Sequence, residues 1–175
     1  MTNEAFQQLL QGGVVLLDGA TGTNLQQAGM PYRRLPGTMD LREPRVMIDL
    51  QRRFVEAGSQ ILYAPTFTGN RLKLAEYGSM TSSSPSIRAW SLSQKKRPRG
   101  SPGCGDMTMT GQQLYPMGEL TFDDLVDVYR EQAQALYDAG VDLFIVETMM
   151  SLQETRACVL AIKESATYPS CDADL

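Results

Sequence analysis

Three times along this chain a short apolar run breaks off at a polar residue: Gly13-Val14-Val15-Leu16-Leu17-Asp18-Gly19, Ile61-Leu62-Tyr63-Ala64-Pro65-Thr66-Phe67 and Val141-Asp142-Leu143-Phe144-Ile145-Val146-Glu147-Thr148. Runs this short, stopped by glycine or a polar residue, read as buried strands running into loops. Helical periods lie between them. Pro44 suits the first turn of a helix whose apolar positions Met47, Leu50, Phe54 and Ala57 recur every three or four residues, with Gly58 as its stop. Thr121 reads as an N-cap with Asp123 and Asp124 in the first turn; Phe122, Leu125, Tyr129, Ala133, Leu136 and Tyr137 form a core stripe that ends at Gly140. Ser151-Leu152-Gln153-Glu154 fits a capping box, opening a helix expected to bury Leu152, Thr155, Val159 and Ile162. The order is strand, helix, strand, helix, an interruption, then helix, strand, helix. Parallel neighbours need crossovers of this length, so the class is α/β with a parallel sheet. In such sheets, open or closed into barrels, functional groups gather at the C-terminal strand ends. Asp18, Thr66 and Glu147 are therefore expected to share one rim.

The interruption is compositional. Residues 79–103 hold five of the chain's 16 Lys and Arg (Arg88, Lys95, Lys96, Arg97 and Arg99) and none of its 20 Asp and Glu, in a Ser- and Pro-rich text that reads as irregular. The run Lys95-Lys96-Arg97-Pro98-Arg99 has no interleaved aromatics, so it reads as a solvated loop rather than a nucleic-acid patch. A net charge of −4 argues against nucleic acid or an anionic membrane as partner. No apolar run is long enough to span a membrane, and Met1-Thr2-Asn3-Glu4 lacks a signal-peptide layout. A soluble, cytoplasmic chain is expected.

The chain has no histidine, which removes imidazole as general base or metal ligand. Its three cysteines, Cys104, Cys158 and Cys171, form no C-x-x-C pair and fit a reducing compartment better than a disulfide framework. Cys158 falls among the core positions of a helix, and the three together are not read as a zinc site. Asp18-Gly19-Ala20-Thr21-Gly22-Thr23 is a strand-end loop that either makes a tight turn or cradles a phosphate, although it matches neither a P-loop nor G-x-G-x-x-G. Glu147, ending a buried strand, needs a partner or a bound cation. Asp18 and Glu147 together suit an ammonium group.

The phrases LLDGATGTNLQQAG (16–29), FVEAGSQILYAPTFTGNRLKLAEYG (54–78) and the stretch from GDMTMTGQQLYPMGELTFDDL through FIVETMMSLQETRACVLAIKE (105–164) resemble the start of the homocysteine S-methyltransferase family, most of all the homocysteine-binding region of cobalamin-dependent methionine synthases. The resemblance implies a (β/α)8 TIM-type barrel, of which this chain carries roughly the first half. It implies methyl transfer to the thiol of homocysteine to form methionine, with zinc on three cysteine thiolates activating that thiol. In the family's cobalamin-dependent members the methyl group comes from methylcobalamin, recharged from methyltetrahydrofolate by other modules; folate, cobalamin and simple methyl donors all stay open for this chain. By position, Asp18 and Glu147 match the acids that hold the substrate amino group, Gly19 shares the loop, and Thr66 matches a rim residue.

The departures are as informative. The family's zinc cysteines lie on later strands, in phrases absent here, and Cys104, Cys158 and Cys171 do not match them. The chain divides into 1–78 with two β/α units, the 79–103 segment, 104–164 with the end of a third strand (Gly105-Asp106-Met107), a helix, a strand and a helix, and a non-family tail, 165–175. The two abrupt losses of pattern read as frame errors in the coding sequence. The expected chain is then a catalytically inactive fragment whose uncovered edges favour self-association. Two other readings stay open: a non-catalytic amino-acid-binding or assembly fragment, and a barrel enzyme acting on a phosphorylated substrate.

Overall fold

The computed structural model describes residues 1–29, 44–76 and 100–165. Cys171, the basic run 95–99 and the tail after Ser165 lie outside the described residues, as does nearly all of the Ser/Arg/Pro segment. In chain order the elements are α1 (Asn3–Gln11), α2 (Thr21–Gln27), α3 (Pro44–Glu56), β1 (Leu62–Tyr63), α4 (Arg71–Glu76), β2 (Gly103–Met107), α5 (Phe122–Asp138), β3 (Leu143–Val146) and α6 (Leu152–Ser165). The strands form one parallel sheet in the order β1-β2-β3. Leu62 pairs with Gly103, Cys104 with Leu143, and Met107 with Val146. Each parallel step is bridged by helix, as the alternation of patterns requires. Three strands bear out the α/β class and the parallel sheet but do not by themselves draw a barrel.

The first run joins this sheet only through an isolated parallel bridge, Leu17 to Ile61. It is not the buried strand expected: Val14 is 87% and Leu16 52% exposed. Gly13 sits at φ +107°, a left-handed conformation that a pleated strand cannot contain. The second run is regular only at Leu62–Tyr63. Pro65 has no N–H for the ladder, and Thr66 N–H turns back onto the Ala64 carbonyl at 2.7 Å. β2 starts at Gly103, two residues before the expected remnant, and is buried along its whole length.

The main core lies between the sheet and the α5–α6 pair, where Met107, Leu125, Tyr129, Ala133, Leu136, Ala157, Cys158 and Ala161 pack together. α5 begins with a reciprocal cap: Asp124 N–H donates to Thr121 Oγ1, and the Asp124 carboxylate accepts from Thr121 N–H at 2.8 Å. Its stripe is buried as expected except at the ends, where Phe122 and Tyr137 stay more than a third exposed.

α6 differs more. Leu152 is 67% and Val159 39% exposed, while Glu154, Ala157, Cys158 and Ala161 face inward. Small residues on that face let α6 approach α5 closely. Ser151 caps Glu154 N–H at 3.1 Å as expected, but the Glu154 carboxylate turns inward instead of back to Ser151. It accepts from Thr110 N–H (2.7 Å), Thr110 Oγ1 (2.8 Å) and Tyr129 Oη (2.9 Å). A smaller cluster, Leu25 with Met47 and Leu50, joins α2 to α3. Two helices fall outside the sequence reading: α1, capped by Thr2, and α2, which starts inside the glycine loop. No described helix is long and apolar enough to cross a membrane.

Candidate functional site

Four consecutive segments of the sheet deliver one polar side chain each to the same end. The first run ends at Asp18, β1 carries Tyr63, β2 carries Asp106, and Glu147 follows β3. Together with Gly19 and Phe67 they line a cavity of about 410 Å³. Among the described residues no Lys or Arg lines it.

Tyr63 braces two of the acids. Its backbone N–H donates to Asp18 Oδ1 at 2.6 Å, and its phenol donates to Glu147 Oε2 at 3.2 Å. Burial pushes the Asp18 carboxyl up to about 6, a rise that the Tyr63 N–H partly offsets. Asp106 is pushed further, to about 8, first by burial and then by the charges of Glu147 and Asp18. The Tyr63 phenol also rises, through burial and the neighbouring Glu147. Burial is the largest cause of all three rises, and neighbouring carboxylates add to those of Asp106 and Tyr63.

The backbone beside the acids is strained. Ala20, just beyond Gly19, and Thr148, just after Glu147, are non-glycine residues with φ of 49° and 53°. Side chains rarely adopt such conformations, which cluster at sites that need a set geometry.

The structure brings Asp18, Gly19 and Glu147 together at the cavity. Thr66 lies fully buried behind its wall, where its hydroxyl donates to the Asp106 carbonyl at 2.9 Å and accepts from Asp106 N–H at 3.2 Å. Its hydroxyl thus positions Asp106. Sequence reading missed Asp106 as a site residue, although it stands at a strand end in Gly105-Asp106-Met107. The rule that picked out Asp18 and Glu147 picks it out as well, but no apolar run leads into it, and only the family resemblance marked Gly105-Asp106-Met107 as a strand's end.

As a phosphate site the loop fares poorly. α2 is only seven residues long, and the acids at its approach set a negative field where an anion would sit. Nor do the thiols fit a zinc ion. Cys104 and Cys158 are fully buried on β2 and α6, and burial raises both thiols, which favours the neutral form over the thiolate that a metal needs. Among the described residues no group of three His, Cys, Asp or Glu is placed to hold a metal ion.

A family model described as homocysteine S-methyltransferase matches residues 15–173. Among solved structures the chain is similar to the homocysteine methyltransferase MmuM from Escherichia coli. Against the metallated form the TM-score is 0.68 at 21% identity, covering 91% of this chain and 62% of that one. Against the oxidized form it is 0.71 at 20% identity, covering 90% and 61%. This chain thus spans about three fifths of the length of those neighbours, and at such identities the likeness speaks for the fold.

Proposed function

The chain belongs to the homocysteine S-methyltransferase family, and from that premise we propose that its strand-end cavity holds the amino group of homocysteine. The observation that carries this reading is a cavity walled by Asp18, Asp106 and Glu147, with no cation lining it among the described residues. A primary ammonium has three N–H donors and one positive charge, and carboxylates in a partly dry pocket supply what it lacks. Asp18 and Glu147 carry the binding role, and Tyr63 holds both of them in place. Thr66 acts one step back, through Asp106. The whole enzyme's reaction is methyl transfer to the homocysteine thiol, giving methionine.

In this reading the described residues hold the amino-acid end of the substrate. The thiolate-held zinc that the resemblance implies finds no fitting donor set among them, so no step is routed through it. The chain is expected to bind homocysteine without turning it over.

Calorimetry of the 175-residue chain with L-homocysteine tests this. One-site binding that falls tenfold or more in Glu147→Ala and in Asp18→Ala, with unchanged circular dichroism, is the expected result; tenfold corresponds to about 1.4 kcal/mol. A folded chain that gives no binding heat overturns the amino-acid reading, and methionine formed by this chain alone overturns the division between holding and activating.

A further inference from the structure

Asp106 is the least satisfied acid of the cavity. It is 6% exposed and lines the cavity, and its Oδ1 is buried without a hydrogen-bond partner. A buried polar atom left so has lost its water without a replacement, a cost that is larger when the group is charged. The groups around it give no relief. Asp18 faces it from the first run, the Tyr63 phenol from β1, the Cys104 thiol from its own strand and Glu147 from beyond β3. α5 contributes Gln132, whose amide donates to the Asp106 backbone carbonyl at 3.4 Å and not to the carboxyl. Each of the four titratable neighbours is neutral or negative. Thr66 pins the backbone of Asp106 from both sides, so the carboxyl cannot swing away by moving the strand. A ligand ammonium supplies both the missing hydrogen bond and the missing charge.

Resting on the amino-acid reading above, we propose that Asp106 is a third substrate-contacting residue, whose free Oδ1 receives a hydrogen bond from the substrate ammonium. The contact has a proton consequence. Buried beside Glu147 and Asp18, the Asp106 carboxyl keeps its proton near neutral pH. A cation at Oδ1 favours the carboxylate, so the proton passes to the buffer as the ligand docks.

The test is calorimetry at pH 7 on the full chain, wild type, Asp18→Asn and Asp106→Asn. L-homocysteine serves for affinity. L-methionine, which has no thiol to titrate, serves for proton release, measured in phosphate and in Tris. The expected result is a buffer-dependent heat in wild type and Asp18→Asn, lost in Asp106→Asn, with a tenfold or greater loss of homocysteine affinity in both variants. A merely structural Asp106 would not move the buffer dependence. Wild-type affinity and wild-type buffer dependence in Asp106→Asn overturn the inference and leave the amino-acid reading standing. A folded wild type that binds neither ligand overturns both. Should Asp106→Asn not fold, equal methionine heats in the two buffers for the wild type overturn the inference on their own.

Discussion

The site straddles two unequal halves of the molecule. Residues 103–165 form a dense unit: β2 is buried throughout, α5 buries seven residues, and α6 closes against it through alanines and a cysteine. Residues 1–29 and 44–76 are sparse. There α1 buries nothing, the first run makes a single bridge, and β1 is two residues long. Asp106 and Glu147 belong to the dense half, Asp18 and Tyr63 to the sparse one. The acids meet across a seam held by backbone and side-chain hydrogen bonds, among them Leu62 N–H to Pro102 O at 2.9 Å, Ala64 N–H to Cys104 O at 2.8 Å and the Thr66 clasp. The binding geometry therefore depends on how well the sparse half is held to the dense one, not on the dense half alone.

The largest effect that tests this contrast is a matched pair of truncations. Leu136 is fully buried in the core of the dense half, and Leu136→Ala is expected to lower the unfolding free energy by about 3 kcal/mol. Leu16→Ala removes the same atoms from a residue 52% exposed and should change it by no more than about 0.5 kcal/mol. Urea unfolding followed by circular dichroism measures both. Equal losses would mean that the two halves are not unequal.

Next in size is the response to pH. An aspartate free in the unfolded chain titrates near 3.8, whereas Asp18 and Asp106 are raised to about 6 and about 8 in the fold. The folded chain therefore binds more protons across that window, and stability is greatest at its acid end. It declines from the ordinary aspartate range upward, more steeply below about 6, where both carboxyls contribute, than between about 6 and about 8, where Asp106 alone does, and levels off above that. Asp106→Asn should abolish the upper decline and make the chain more stable than the wild type at pH 9. Hydrogen exchange sharpens the comparison. If the sparse half opens first, the steeper decline below about pH 6 appears as faster exchange at residues 16–19 and 60–63, while β2 and β3 stay protected.

The halves also differ in how far the sequence disclosed them. α5 was legible nearly to the residue, because an N-cap threonine with acids in the first turn, a 3.6-residue stripe and a closing glycine agree at every level. The rim at Asp18 and Glu147 was legible because topology alone sends strand ends to one side. Where reading failed, the deciding contact was tertiary. The spacing of Leu152, Val159 and Ile162 marks an apolar face, yet Ala157, Cys158 and Ala161 pack inward because α5 demands close approach. Glu154 had a local role in the capping box and took a long-range one with Thr110 and Tyr129. The first run looked buried because its composition is apolar, but burial needs strand neighbours, and a one-dimensional pattern does not supply them.

The smallest effect comes from the two threonine caps. Thr2 caps α1 by accepting from Ala5 N–H at 3.2 Å, and Thr121 caps α5 by accepting from Asp124 N–H at the same distance. Chemically the two bonds are alike, and an N-cap Thr→Ala change removes about 1 kcal/mol of local helix stability in either place. Only α5 is tied to the core, so Thr121→Ala should lower the global unfolding free energy by about that amount. Thr2→Ala should fray α1 and leave the urea midpoint unchanged, because α1 buries no residue whose loss the rest of the fold would register. Equal shifts from the two substitutions would show that α1 and α5 unfold as one cooperative unit, so that the seam couples the two halves fully.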